Sequence, residues 1–371
     1  MKLRWALFPG AILAVFLLVS PRSEAVNQNA INAVRVKQVL DQSDLAVIDT
    51  FLSEAIDELV KTRDFATIAQ IRSIILSKQG GQGRYAKQFS ESARKHIATG
   101  LEKAQILPEE RRNKVLVNLL ILIDRLGDLQ LANLSLNNIS NDMSIVRYWV
   151  VKSLANPAIV AQMQAEGDNG LRLAGVIADR FKAVVGTSRP EVLALMADFA
   201  GQIRIAQADL MLIEVADARI KDYNAWTVKY ELVDSSILKA LADRIAGSGT
   251  NKNAVAWRFG QLLSCVMQRY IKGADRLTQT QKGQLASVLA EVETKSFAKL
   301  LGGSQGAIRR AIDNQDYTAL QTEYDNIFGR GNTPGQLVTR LEFNFGTDPA
   351  GRDKTSPTPL PDPPAPKPTS N

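Results

Sequence analysis

The sequence predicts an all-α protein whose helices form stacked antiparallel hairpins, as in an irregular α-solenoid. Apolar residues recur at helical spacing over nearly all of residues 26–347, and Gly or Pro separates most of these segments. Aromatic residues make up only 6% of the chain, which favours helices built on Leu, Ile, Val and Ala over a β-sheet. Because the connections are short, successive helices are expected to be antiparallel neighbours; a globular bundle of the same helices is the alternative.

The first helices can be assigned in order from their end signals. Asp44 is expected to cap a helix whose apolar face extends through Leu59, and the same apolar pattern predicts a further helix over residues 64–77. Pro108 opens a later helix, and Gly127 is expected to stop it. In total the pattern predicts about fourteen helices.

The second half of the chain shows similar signals. Residues 188–191, Ser-Arg-Pro-Glu, have the form of a capping box with proline in the first turn. Only residues 336–345 alternate like a strand, and we expect them to dock over the last helices because no second strand is available. The later helices are expected over 225–246, 253–273, 279–301, 305–313 and 316–328.

One segment carries a repeat-like signature. Asp142 is followed by Val146 and Arg147, and then by Val150 and Leu154 at helical spacing. This pattern resembles the second helix of a HEAT-type (armadillo-like) repeat, and the hairpins recur at intervals of roughly 35–50 residues, the range of helical repeats. The resemblance implies that Asp142 caps the helix. It also implies that the stem of Arg147 packs between units while its guanidinium pairs with carboxylates.

The N-terminal end is predicted to lie outside the fold. Residues 1–25 have the features of a secretory signal peptide: Lys2 and Arg4 precede an apolar run, and Ala25 ends a stretch suited to cleavage. The apolar run is shorter than the ~20 residues of a comfortable transmembrane span. We therefore expect an exported protein, periplasmic or extracellular, with an uncleaved membrane anchor as the alternative.

The C-terminal end is predicted to be a tail. Residues 348–371 contain 8 of the 14 prolines and no aromatic residue. Proline has no N–H to donate, so this stretch is expected to be extended, solvated and disordered, separate from the helical domain at 26–347. Its role is either that of a passive tail or spacer, or that of a ligand for a groove that accepts proline-rich strands.

One histidine and one cysteine limit the chemistry. A zinc site normally takes several Cys and His ligands, so the sequence predicts no such metal site and no cofactor. His96 has no carboxylate on the following turn of its helix and is expected to be an ordinary boundary histidine. Cys265 lies between the apolar residues Leu262 and Val266, which predicts a buried, inert thiol, with a disulfide-linked dimer as the alternative.

Carboxylates and glycines offer weaker candidates. Paired carboxylates at helical spacing can reach the separations that glycosidases use, but neighbouring lysines favour ordinary ion pairs. Two glycine-rich stretches, 80–83 and 302–306, follow helices instead of strands and are predicted to be turns, not phosphate-binding loops. The carboxylate pairs are Glu54 with Glu58, Glu214 with Asp217, and Asp124 with Asp128.

Three aromatic residues are the candidate ligand contacts. Tyr223, Trp226 and Tyr230 stand at i, i+3 and i+7, a stripe that could anchor a peptide or glycan on a solenoid, with core packing as the alternative. We predict no catalytic residue. The net charge is +7, but the basic residues are interleaved with acidic ones and do not form the basic stripe that is typical of a nucleic-acid-binding protein.

These observations predict an exported, non-enzymatic binding or scaffold protein of the cell envelope. Its partner is expected to be a protein or an envelope polymer, and the sequence fixes no oligomeric state. The alternative is an exported helical hydrolase that acts on a glycan or envelope polymer through paired carboxylates.

Overall fold

The protein is built almost entirely from helices, which confirms the predicted fold class. A computed structural model describes residues 28–81, 83–247, 251–303, 306–331 and 333–365. Within these ranges there are eighteen α-helices, four short turns of other helix types and one two-stranded hairpin. The predicted signal peptide lies outside the described residues.

The helices follow one another with short connections. The first nine are α1 (Gln28–Arg35), α2 (Gln42–Lys61), α3 (Phe65–Lys78), α4 (Gly83–Gln105), α5 (Glu109–Leu126), α6 (Ala132–Leu136), α7 (Ser144–Leu154), α8 (Pro157–Ala165) and α9 (Asp168–Val184). The remaining nine are α10 (Pro190–Gln202), α11 (Ala206–Asn224), α12 (Asp234–Ile245), α13 (Lys252–Lys272), α14 (Gln279–Glu291), α15 (Phe297–Leu300), α16 (Ala307–Asp313), α17 (Tyr317–Phe328) and α18 (Gln336–Leu341). The short elements are 3₁₀ turns at Leu129–Leu131, Val185–Thr187 and Glu231–Val233, a π turn at Val292–Ser296, and the antiparallel strands β1 (Gly329–Arg330) and β2 (Thr333–Pro334).

The helices are stacked in two layers. In one layer α3, α5, α7, α10 and α12 pack on one another in that order. In the other layer α2 packs on α4 at the N-terminal end. Further along the chain α9 packs on α11, α11 on α13, and α13 on α17. The pairs α4 with α5, α10 with α11, and α12 with α13 join the layers. Most of the packing is therefore between units that are close in sequence, as in a stack of hairpins.

Local capping signals set the helix ends, with one shift from the prediction. Asp41, not Asp44, is the N-cap of α2: the Asp44 N–H donates to Asp41 Oδ1 at 3.0 Å, and the Asp41 N–H donates to Asp44 Oδ2 at 3.1 Å. Asp44 thus occupies the third helical position of a reciprocal capping box. Asp64 caps α3, and Gly127 ends α5 in the left-handed conformation, as expected.

The capping box predicted at residues 188–191 is wrong. The Ser188 hydroxyl donates back to the Val184 carbonyl at 2.8 Å, so it does not cap the following helix. Arg189 is the N-cap of α10 and contributes no side-chain cap. Pro190 does occupy the first turn, as expected.

The segment that resembles a HEAT-type repeat uses its polar residues differently from what the resemblance implies. Helix α7 begins at Ser144 after Met143, without a side-chain cap from Asp142. The guanidinium of Arg147 reaches the next unit, where Nη1 donates to the Thr187 carbonyl at 2.8 Å. Carbonyls therefore take the place of the carboxylate partners that the resemblance implies.

The strand predicted over 336–345 is instead helix α18 followed by a turn. Leu337 and Leu341 are four residues apart, which suits one face of a helix as well as alternate positions of a strand. Phe345 and its neighbour Phe343 are buried, with ring centroids 5.0 Å apart, and they pack over Gly260 of α13. A Cβ at Gly260 would lie 2.9 Å from the Phe345 ring, so this close approach requires glycine.

Candidate functional site

The proline-rich end packs on the helical body, which differs from the predicted free tail. Residues 357–364 have no helix or strand of their own and run along α13. Pro357 and Leu360 are buried and Pro363 is half-buried, so every third residue faces the body. Three residues per turn is the period of polyproline II. The stretch is held because its inward side chains and its main chain both find partners on the helices.

Side chains of α13 bind the main chain of this segment. The Gln261 amide makes a two-way contact: its Nε2 donates to the Thr358 carbonyl at 2.9 Å, and its Oε1 accepts from the Thr358 N–H at 2.9 Å. Gln268 Oε1 accepts from the Leu360 N–H at 2.9 Å. Lys272 Nζ donates to the Leu360 carbonyl at 2.6 Å.

Three further side-chain contacts hold the same segment. Together with Gln261 and Gln268, the side chains of Trp226, Lys272 and Arg276 form what we term the tail groove. The added contacts are Trp226 Nε1 with the Pro361 carbonyl at 2.9 Å, Lys272 Nζ with Asp362 Oδ1 at 2.9 Å, and Arg276 with the Pro364 carbonyl.

Helical spacing and a second set of polar groups orient the two glutamines. Gln261, Gln268 and Lys272 are seven and four residues apart, which places them along one face of α13. Gln268 Nε2 donates to Ser264 Oγ at 2.8 Å and to the Tyr324 hydroxyl at 3.0 Å. These contacts leave Gln268 Oε1 directed at the segment. Burial raises the pKa of Tyr324 to about 12, so its hydroxyl keeps its proton at neutral pH.

A buried cation packs against the indole of Trp226 in the tail groove. The guanidinium carbon of Arg269 lies 5.2 Å from the centroid of the Trp226 ring, a cation–π distance. Arg269 Nη2 is also 3.0 Å from Glu231 Oε1, and both of these charged side chains are buried. Trp226 itself has a left-handed backbone, with φ of 57°. The indole N–H is therefore held in place for the carbonyl of the extended segment.

The structure separates the three aromatic residues that the sequence grouped. Helix α11 ends at Asn224, so Tyr223, Trp226 and Tyr230 do not share a helix face. Tyr223 is buried and its hydroxyl donates to Asp234 Oδ2 at 2.7 Å. Trp226 is half-buried in the tail groove, and Tyr230 is 62% exposed. Trp226 donates a hydrogen bond to the extended segment.

A buried ionic cluster lies beside the tail groove. Arg219 Nε is 2.6 Å from Asp234 Oδ1, and both side chains are fully buried. Arg219 Nη2 donates to the second oxygen of Asp234 at 2.9 Å and to the Lys229 carbonyl at 3.3 Å. Burial raises the pKa of Tyr223 well above its usual value, so this phenol acts as a donor to the carboxylate. The cluster holds the loop that carries Trp226.

The other predicted candidates have structural partners. His96 Nε2 lies 2.9 Å from Asp49 Oδ1, and Lys95 Nζ lies 3.0 Å from the same carboxylate. Asp217 forms a two-point ion pair with Arg258, at 3.0 Å for both contacts. These groups belong to ion pairs between helices.

Asp124 and Asp128 also have structural partners. Asp124 Oδ1 accepts from Asn156 Nδ2 at 3.2 Å, and Asp128 caps the 3₁₀ turn that follows α5. Downstream of the second glycine-rich stretch, both oxygens of the buried Glu293 accept N–H groups at the start of α16. Among the described residues no group of three or more His, Cys, Asp or Glu side chains is placed to hold a metal ion.

Two of the surface depressions have volumes above 500 Å³, and both are open to solvent. One has a volume of about 520 Å³ and lies between the ends of α5, α7, α10 and α12. Charged residues of both signs line it, including Asp124, Lys152, Asp198 and Lys239, and no aromatic ring is in its lining.

The tail groove was missed from the sequence because a lone glutamine on a helix is usually a solvated side chain. A signal was nevertheless present in α13. Gln261, Ser264 and Gln268 interrupt an otherwise apolar stretch at helical spacing, and all three are buried. Buried polar side chains need hydrogen-bond partners, and here the extended segment supplies them.

Comparison of the chain with protein-family models, with curated proteins and with solved structures found no match in any of the three. None of the helices in the described ranges combines the length and apolar character needed to cross a membrane.

Cys265 is buried, as predicted, and we expect it to react slowly with thiol reagents in the folded protein. Burial raises the pKa of its thiol from 9.0 to about 11, so little reactive thiolate forms at pH 8. The rate of reaction with a chromogenic disulfide should rise by at least tenfold in denaturing urea. Because the folded-state pKa is the higher one, the thiol's contribution to stability should be present below pH 9.0 and lost towards pH 11. Fast reaction of the native protein would show that the thiol is accessible.

Proposed function

We propose that this is an exported, non-enzymatic binding or scaffold protein of the cell envelope, which uses a HEAT-like helical surface to hold extended polypeptide segments. One observation carries the proposal: Gln261 and Gln268 bind the main chain of an extended segment instead of its side chains. The proposed export rests on the sequence of residues 1–25.

Main-chain recognition suits a binding protein. A side-chain amide that both donates to and accepts from one residue, as Gln261 does with Thr358, reproduces the pairing of a neighbouring strand. A proline-rich ligand already has an extended backbone, so less conformational entropy is lost on binding. The two glutamines of α13 provide this main-chain recognition, and the segment that they bind is rich in proline.

The proposal can be tested with the full chain after its own tail is released. Leu360 is 1% exposed, so Leu360→Asp would place a charge in an apolar site and should free the segment. A fluorescein-labelled peptide with the sequence of residues 353–365 is then expected to bind, as measured by fluorescence anisotropy. Adding Gln261→Leu should weaken binding by about tenfold, because the Thr358 main chain loses both partners.

Gln130→Leu is the matched control for this experiment. Gln130 is exposed on the 3₁₀ turn after α5, so its replacement should leave peptide affinity unchanged within about twofold. If the Leu360→Asp chain keeps the helical circular dichroism of the wild type and still binds no peptide, the proposed function fails.

A further inference from the structure

We propose that the tail groove selects a partner protein through a segment in which prolines alternate with other residues, in the pattern proline, any residue except proline, proline, apolar residue except proline, proline. This inference rests on the proposed function and adds the kind of partner. The pattern is read from residues 357–361 of the chain itself, Pro-Thr-Pro-Leu-Pro.

The hydrogen bonds match this alternation. Proline has no N–H, so Thr358 and Leu360 carry the only main-chain N–H groups in the stretch. Each of the two meets a glutamine acceptor at 2.9 Å, Gln261 Oε1 for the first and Gln268 Oε1 for the second. A proline at either position would leave a buried glutamine oxygen without its donor.

The carbonyls follow the same order. Gln261 Nε2 donates to the carbonyl of Thr358, and Lys272 Nζ donates to that of Leu360. The carbonyl of Pro361 accepts from the Trp226 indole. Proline keeps its carbonyl, so the prolines of the pattern can accept hydrogen bonds while they stiffen the backbone.

Burial of the Leu360 side chain determines which position of the pattern must be apolar. Leu360 is 1% exposed and Pro357 is also buried, whereas Thr358 and Pro359 point to solvent. The fourth position of the pattern therefore requires an apolar side chain, and the second position tolerates many. Asp362 pairs with Lys272 at 2.9 Å but is 89% exposed, so an acidic residue after the pattern adds little affinity.

The partner has to displace the chain's own tail. A tethered segment acts at an effective concentration of the order of millimolar, so a free peptide of the same sequence competes poorly with it. A partner with several copies of the pattern overcomes this disadvantage, because each copy offers another chance of rebinding. The tail thus keeps the tail groove occupied until such a segment is present.

The test uses the full chain with Leu360→Asp and four labelled peptides, measured by fluorescence anisotropy. The reference peptide has the sequence of residues 353–365. Peptides with Thr358→Pro or with Leu360→Pro should bind at least tenfold more weakly, because each removes one matched N–H. A peptide with Pro359→Ala should bind within about threefold of the reference, since it loses only backbone stiffness.

The outcomes separate this inference from the proposed function. Equal affinity for the Thr358→Pro and Pro359→Ala peptides would overturn the alternating pattern while leaving polypeptide binding in place. If the folded chain binds none of the four peptides, both the alternating pattern and the proposed function are contradicted.

A second measurement tests the competition. The wild-type full chain should bind the reference peptide at least tenfold more weakly than the Leu360→Asp chain, because its own tail is seated. Equal affinity for the two chains would contradict this. Light scattering should give the same mass for both chains. A wild-type dimer that dissociates on Leu360→Asp substitution would overturn the partner assignment and give the tail groove to a second copy's tail.

Discussion

Replacing Asp234 with alanine is expected to destabilise the fold by about 3–5 kcal/mol. The Asp234 carboxylate is fully buried and accepts hydrogen bonds from Arg219 at 2.6 and 2.9 Å and from the Tyr223 hydroxyl at 2.7 Å. Its removal leaves the guanidinium of Arg219, which is also fully buried, without its main counter-charge. Urea unfolding at pH 7, followed by circular dichroism, measures the loss.

Asp222→Ala provides the control within the same cluster. The Asp222 carboxylate lies 3.7 Å from Arg219 Nη1 but is 44% exposed, so water compensates for its loss. The free energy of unfolding should change by no more than about 0.5–1 kcal/mol. Similar losses for Asp222→Ala and Asp234→Ala would mean that burial of the Arg219 charge is not what makes Asp234 important.

Gly170→Ala is expected to cost about 3 kcal/mol, at the upper end of the usual range for overpacking. A Cβ at Gly170 would lie 1.8 Å from the carbonyl oxygen of Met163 and 2.6 Å from its carbonyl carbon. Backbone atoms cannot rotate away as a side chain can, so α8 and α9 would have to separate. The midpoint of thermal unfolding should fall accordingly.

Gly175→Ala, in the same helix, is the matched comparison. The nearest atoms to a Cβ at Gly175 belong to the Gln207 side-chain amide, at 3.4 Å, and that amide can move. Alanine in a helix interior is favoured over glycine by roughly 0.5–1 kcal/mol. We therefore expect Gly175→Ala to be neutral or slightly stabilising. If both substitutions lowered the free energy of unfolding by a similar large amount, the close approach of Gly170 to the Met163 carbonyl would not explain the loss.

Helix ends could be predicted from the sequence where the signal is local. Gly127 acts through atoms within one turn of itself, so its residue type was sufficient to predict the end of α5. Asp41 and Asp44 are both acidic and three residues apart, and only the geometry shows which one is the cap. Apolar periodicity could not reveal that the chain turns at Trp226, because the left-handed backbone there depends on the buried contacts around it.

The candidate site depended on contacts between distant parts of the chain. Thr358 and Gln261 are 97 residues apart, and neither has a local pattern that points to the other. Proline content favoured an extended conformation for the tail, and residues 357–364 form no helix or strand. It could not indicate docking, because that follows from Leu360 filling a buried position and from two glutamines that meet two N–H groups.

The two ends of the helical stack are not equivalent. In a linear array each unit is supported only by its neighbours, so opening begins at a terminus and spreads inward. The extended segment at residues 357–364 stabilises the C-terminal end through its hydrogen bonds to α13. In the described part of the chain, the N-terminal end is closed by α1, which has eight residues and is followed by the exposed Val36 and Val39. Within the described residues we therefore expect α1 to open before the C-terminal end, and we expect release of residues 357–364 to make the C-terminal end easier to open.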